Sequence, residues 1–488
     1  MSRSGRPSTP QSYIDETPHW PDGTTVTASP MTGMQWRIWG LAAAGKFFEG
    51  MVVFMTGVAL PLIGKDWGLD PLQTGVVGAA SLFGILIGAT MLGGLADRYG
   101  RRTIFIVEMA LFCFFLALLT LASGYWWLVI CLVGTGIALG GDYPTAHLII
   151  SEAIPSRIRG KLVLSAFGFQ ALGALTGTLI GYLVLSNLPQ LDAWRWMYAT
   201  ALIPALIVLA GRFMITESAP WLLSKGRRDE AEKATLRLLE RKPPYPSTVV
   251  LEQAGIESRP HDRRDGPRFL DLFGKRHRRT TILAAVPWFL QDLGTYGIGI
   301  FTPMVLAASF GHGKDHPNTI ADIIGNDILA AKGAAFLDVL LIVGILAAVL
   351  LADRSGRIRL QVLGFIGCAA GLFIASLSVG MNEPSATILI FVGFMLFNFM
   401  TNMGPNAQTY LLAGEVFPTA VRGRGAGFAA SFAKIGAVLT VFLFPILLQG
   451  IGEQALLYIL VGTSLLGAAV TWLCRIETNG VDLDQLAD

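Results

Sequence analysis

Seven ionisable side chains stand where the surrounding sequence is apolar: Lys46, Glu49, Glu108, Asp142, Asp292, Asp338 and Lys434. A charge in a hydrocarbon environment costs roughly 2.5–3.5 kcal/mol on even the mildest scale, so each is a functional candidate by default. Lys46 and Glu49 are three residues apart, a spacing that lets them neutralise each other on one helix. Glu108 lies close to a cluster of arginines and has a bracing role open to it. Asp338 falls near the start of its apolar run, where an edge position would account for it. Asp142, Asp292 and Lys434 lie well inside theirs.

The neighbours of these three sharpen the chemistry. Gly140-Gly141 precede Asp142 and Tyr143-Pro144 follow it, so a distorted backbone is expected there. Trp288 and Tyr296 stand four residues before and after Asp292, which puts all three on one helical face. Asn406 follows Gly404-Pro405, a second expected break, and Gln170 sits in another apolar run. Together they supply hydrogen-bond donors, one cation and two protonatable acids, as a small oxyanion and a co-transported proton require. Gly40 to Lys46 imitates a phosphate-binding loop, but Phe47 stands where Ser or Thr must hold magnesium. No nucleophile–base constellation or metal cluster is evident, so neither an enzyme nor a cofactor is expected.

The elements that must carry these residues follow from composition. The chain has 488 residues, 53% hydrophobic and 15% charged, with mean hydropathy +0.56. A soluble domain carries about 25% charged residues. A spanning helix needs ~20 mostly apolar residues. Twelve such stretches are predicted, at about 38–63, 73–95, 103–123, 126–150, 162–186 and 196–215, then 280–308, 334–352, 359–380, 386–413, 424–449 and 453–474. The expected layout is a disordered tail over 1–35, a six-helix bundle over 36–216, a polar loop over 217–278, a second six-helix bundle over 279–475 and a tail over 476–488. Cys113, Cys131, Cys368 and Cys474 lie in or beside apolar runs and read as packed thiols. Glycines four apart (Gly173, Gly177, Gly181), with Gly84, Gly88, Gly134 and Gly140, read as close-packing faces.

The halves repeat. Gly93, Asp97, Arg98, Gly100, Arg101 and Arg102 return in shortened form as Asp353, Arg354, Gly356 and Arg357, an offset of 256 residues from Asp97 to Asp353. Glu152 with Arg159-Gly160 returns as Glu415 with Arg422-Gly423, and Glu217 as Glu477. Loops rich in Arg and Lys alternate with nearly bare ones, which places both termini and the central loop in the cytosol. That loop carries fifteen Lys and Arg between Lys225 and Arg279. Its stretch from Arg228 to Arg241 predicts an amphipathic helix, and the loop's basic run predicts contact with an anionic lipid surface. The net charge of +3 is too small to argue for nucleic acid.

With these residues in hand, the chain resembles the major facilitator superfamily in its sugar-porter branch, through the Gly93–Arg102 signature, its echo and the Glu/Arg-Gly pairs. Within it the chain is most similar to fungal and plant phosphate:proton symporters. Gly140 to Pro144 matches their helix 4 motif, with Gln170 at the matching spacing. Trp288 to Asp292 with Tyr296 matches helix 7, and Gly404-Pro405-Asn406 with Lys434 matches helices 10 and 11. The resemblance implies that Asp142, Tyr143, Gln170, Trp288, Asp292, Tyr296, Asn406 and Lys434 surround the cargo. It further implies that Glu49, Glu108, Asp142 and Asp292 handle protons. Two stretches depart from it: Glu49 and Val52 replace an Asp-x-x-Asp pair, with Lys46 added, and His147 replaces a small hydroxyl residue. Bacterial metabolite and organic-acid symporters share Gly-Gly-Asp-Tyr, so phosphate and an organic acid or sugar-like metabolite both stand as cargoes. A non-transporting membrane sensor is the minor alternative. The implied mechanism is alternating access in a cell membrane by a monomer, with the arginine loops tethering the two bundles through charge pairs.

Overall fold

The computed structural model describes residues 9–18, 24–25, 30–241, 245–251, 269–311, 320–382, 384–417 and 421–476. Nearly all of this is helix. The first half contributes α1 (Gly33–Trp67), α2 (Pro71–Met91), α3 (Arg101–Thr120), α4 (Tyr125–Ala153), α5 (Ser156–Asn187) and α6 (Ala193–Arg212). The second contributes α7 (Arg278–Gly311), α8 (Ile320–Ser355), α9 (Arg357–Ser376) and α10 (Ser385–Met403 continued by Pro405–Glu415). Arg422–Leu473 bends at Gly452, φ +81°, into two legs, α11 and α12. Ten described helices are long and apolar enough to cross a membrane. Counting both legs of the last one and adding the more polar α7 gives the expected twelve crossings.

Local chemistry sets the helix ends. Thr32 Oγ1 accepts from the Gln35 N–H while Gln35 Oε1 accepts from the Thr32 N–H, a reciprocal cap that starts α1. Gly68, at φ +60°, ends it. Asp70 and Gln73 cap α2 in the same way, with Pro71 in the first turn. The repeat signatures turn on Gly100 (φ +106°) and Gly356 (φ +81°), a region open to glycine. One turn of each signature then makes equivalent ion pairs: Arg101 with Glu152 at 3.3 Å and Arg357 with Glu415 at 3.1 Å. Asp97 adds to the first at 2.9 Å from Arg101. Arg159 donates to the Ile154 carbonyl and to Ser156 Oγ. The side chains of Asp353 and Arg422 fall outside the described residues, as does Glu477.

The halves meet most closely away from the arginine loops. There α2 packs on α11, α5 on α8 and α1 on α7. A Cβ at Gly57 or Gly75 would overlap the carbonyl oxygen of Ile300 or Phe442 across the interface.

Several expectations are corrected. On the arginine side, the ion pairs Arg101–Asp97, Arg101–Glu152 and Arg357–Glu415 each lie within one half. Glu217 accepts from the Arg102 N–H, Ser218 Oγ donates to Glu152, and the Trp221 indole donates to the Asp97 carbonyl, all within the first half. The supposed disordered tail contains a helix, Pro10–Asp15, that buries Tyr13 and Ile14. Asp15 accepts from the Ser156 N–H and hydroxyl, both at 2.7 Å. Partial burial pushes the Asp15 carboxyl up, but hydrogen bonds from Gln11 and Ser156 and the Arg159 charge hold it below its ordinary value. The amphipathic helix Arg228–Leu238 exists, but protein covers its apolar face: Ala231 and Leu238 join a core with Ile38, Ile150 and Trp221. Helix α4 passes through Gly140–Pro144 without interruption. Its glycines serve contact instead, since a Cβ at Gly140 would overlap the Ile85 carbonyl oxygen of α2. The expected break at Gly404 is present, with φ −103° and ψ −103°. Helix α8 begins by Ile320 and not near 334, which moves Asp338 from an edge to mid-helix.

Candidate functional site

Between the two halves lies a cavity of about 450 Å³. The first half supplies Lys46, Glu49 and Gln170; the second supplies Trp288, Asp292, Tyr296, Asn406 and Lys434. Ile85, Ala89, Phe167 and Ala430 form the apolar remainder of the wall. Helical periodicity explains the convergence: positions 46 and 49 share a face of α1, and positions 288, 292 and 296 share a face of α7.

The polar groups form one network across the interface. Lys46 Nζ pairs with Glu49 Oε2 at 2.5 Å. Lys434 Nζ donates to Tyr296 OH at 2.7 Å and to Asp292 Oδ2 at 3.3 Å, and stands 3.7 Å from Glu49 Oε1. Tyr296 donates onward to Glu49 at 3.3 Å, and Gln170 donates to Tyr296 at 3.0 Å. Two lysines therefore face two carboxylates, all four largely withdrawn from solvent. In such a place charges persist only when matched. Lys434 also lies 4.4 Å from the Tyr296 ring centroid, a cation–π contact.

The cavity floor toward the arginine loops is aromatic. Phe167 of α5 stacks on Tyr410 of α10 at 4.5 Å, and Trp288 meets Tyr410 edge-on at 6.3 Å. Beyond that stack is a smaller gap of about 280 Å³, which Lys46, His147, Phe167 and Tyr410 line. Lys46 thus borders both spaces, and the Phe167–Tyr410 stack separates them.

Asp142 is not in the cavity wall. Its carboxylate packs against Gly45 and pairs with Arg212 at 2.5 Å. Arg212 is fully buried, donates to the Phe105 carbonyl at 2.6 Å and lies over the Phe105 ring at 3.5 Å. Glu108 is beside them, accepting from Thr145 Oγ1 at 3.0 Å. The side chain of Tyr143 falls outside the described residues. Sequence reasoning missed Arg212, which stands at the end of an apolar run and reads there as a flanking cation. It also missed Gln291 and Asn402, which fix Asn406 from two sides at 3.2 and 2.5 Å. Their signal was visible, since both are amides within apolar runs.

Two helical bundles enclosing a buried polar cavity at their interface, in a chain that crosses a membrane many times, define a membrane transporter. The chain belongs to the sugar (and other) transporter family, whose model matches residues 31–488. It is 28% identical over 452 residues to YaaU, a putative metabolite transport protein of Escherichia coli, covering 92% of this chain and 94% of that one. A putative inorganic phosphate transporter of Schizosaccharomyces pombe is 29% identical over 525 residues, covering 93% and 88%. The fold matches that of XylE, the proton:xylose symporter of E. coli, with TM-score 0.70 at 21% identity over 93% of this chain and 98% of that one.

Proposed function

We propose that the chain is a proton-coupled symporter of a small anion, working by alternating access in the cell membrane with both termini in the cytosol, and that inorganic phosphate is its first cargo to test. The observation that carries this reading is the matched set Lys46–Glu49 and Lys434–Asp292 in one cavity between the halves. Without cargo, each lysine is neutralised by its own acid. An arriving anion competes for the lysines, and protons on Glu49 or Asp292 release them. Anion and proton therefore favour each other's binding, which is the thermodynamic content of symport. Import of an anion into a negative interior is opposed by ~2.3 kcal/mol per charge per 100 mV. At least one proton per negative charge offsets that cost.

Within this reading Lys434 and Lys46 hold the anion, and Gln170, Tyr296 and Asn406 donate to its oxygens. Trp288 limits the cavity beside them. Asp142 with Arg212, and Glu108 with Thr145, join α3, α4 and α6 behind α1 and act by positioning Lys46. Opening toward the cytosol parts Phe167 from Tyr410, while opening outward parts α2 from α11 and α5 from α8.

A second reading, an organic acid, is favoured by the apolar wall of Ile85, Ala89, Phe167 and Ala430. That wall suits a carboxylate with an apolar body better than a phosphate. The test is uptake of labelled phosphate by proteoliposomes with and without an inward proton gradient, beside a panel of carboxylates. Gradient-driven phosphate uptake that is lost in Lys434→Ala supports the first cargo. Carboxylate uptake alone moves the assignment to the second, and no gradient-driven uptake of any anion by folded protein overturns the proposal.

A further inference from the structure

Of the seven ionisable groups in the apolar runs, Asp338 alone belongs to neither charged cluster. It sits in mid α8, 4% exposed, and its Oδ2 lies 3.0 Å from Thr178 Oγ1 of α5. The contact joins the two halves. Thr178 is two helical turns beyond Gln170, so the pair lies on the far side of the cavity from the arginine loops. Helix α8 packs chiefly against α5, α7, α9 and α10, and also touches α1. Among the described residues Thr178 is the one side chain shown bonding Asp338, no charged group is shown acting on it, and its neighbours on α8, Leu337 and Leu341, are buried in the apolar core.

Thr178 Oγ1 also lies 3.2 Å from the Ala174 carbonyl oxygen and 3.1 Å from that of Leu175. A hydroxyl has one proton and three acceptors surround it here. When a backbone carbonyl takes that proton, the threonine oxygen is left as an acceptor facing Asp338. Every bond is then satisfied only by a carboxyl that carries its own proton. A bare carboxylate in the same place, with no cation, would be strongly disfavoured.

We propose that Asp338 is a further proton-binding site, loaded when α5 and α8 close over the outer side of the cavity and emptied when they part. It rests on the symporter reading, because it makes outer closure draw a proton even before cargo arrives. Outward opening exposes Asp338 to water, where the ionised form is well solvated. Closure returns it to the apolar contact with Thr178.

The test places spin labels at Leu72→Cys and Ile451→Cys, exposed positions at the outer ends of α2 and α11. The background is Cys474→Ser, in lipid nanodiscs, and the distance distribution is followed across pH. The open-to-closed ratio is expected to rise with pH. In Asp338→Asn, whose amide can still donate to Thr178, that rise is expected to weaken by one proton's worth, about tenfold per pH unit. Thr178→Val, which keeps the volume and removes the hydroxyl, is expected to favour the open state about tenfold. An unchanged pH slope in folded Asp338→Asn overturns the proposal. Where that variant does not fold, an unchanged ratio in Thr178→Val does so. Uptake measured in parallel separates the two ideas: retained gradient-driven transport with an unchanged slope refutes Asp338 only, whereas absent transport refutes symport.

Discussion

Two buried charge clusters lie close together in this molecule, and they are built for opposite ends. The cavity cluster joins groups from both halves, with Lys46, Glu49 and Gln170 on one side and Asp292, Tyr296 and Lys434 on the other. Any rocking of the bundles must break it. The cluster of Arg212, Asp142 and Glu108 draws only on α3, α4 and α6, within one half. Rocking leaves it intact. On the proposed mechanism the same chemistry, a buried cation beside acids, would give an exchangeable site where it spans the interface between the halves and a brace where it does not.

Removing one member of each cluster should expose that contrast. Arg212→Met leaves Asp142 buried without its partner and is expected to destabilise the protein by about 3–5 kcal/mol. Adding Asp142→Leu should recover most of the loss, as read by thermal unfolding in detergent. Lys434→Ala is expected to act on transport instead. Gradient-driven uptake should fall about 100-fold or more with little change in unfolding, because the cavity can admit water to the orphaned Asp292. No compensating change at Asp292 should restore that uptake, and a rescue would place the cavity cluster with the braces.

Smaller effects refine the picture. Lys46→Gln should raise the cargo KM about tenfold through loss of one charge-assisted contact, with a smaller effect on folding. The smallest effect belongs to Asp15, outside the membrane. Its carboxyl is held low in the folded protein, so its contribution is present above the ordinary carboxylate range and is lost as pH falls through the depressed value. Limited proteolysis of the N-terminal segment should therefore increase at acid pH in the wild type. In Asp15→Asn it should be raised already at neutral pH.

Much of this is legible in the sequence. The face shared by Trp288, Asp292 and Tyr296 follows from i±4 spacing, and the repeat of the arginine signature and of Glu152 as Glu415 reappears as the ion pairs Arg101–Glu152 and Arg357–Glu415. What periodicity does not carry is which helix stands opposite. Asp142 and Lys434 looked alike as buried charges, and only tertiary packing gives Asp142 to Arg212 and Lys434 to the cavity. The depth of Asp338 was hidden for another reason. Asp322, Asn326, Asp327 and Lys332 dilute the apolar signal over the first turns of α8, so the run seemed to start beside Asp338. The glycines of α4 suggested distortion because sequence does not distinguish a glycine that bends a helix from one that admits a neighbour.

On the proposed mechanism a proton on Asp292 releases Lys434 to the anion. Asp292→Asn, neutral at every pH, separates the two steps. In proteoliposomes it should still exchange labelled for unlabelled cargo across the membrane at equal pH, yet fail to accumulate cargo when an inward proton gradient is imposed. Accumulation driven by the gradient at the wild-type level in that variant would contradict the account.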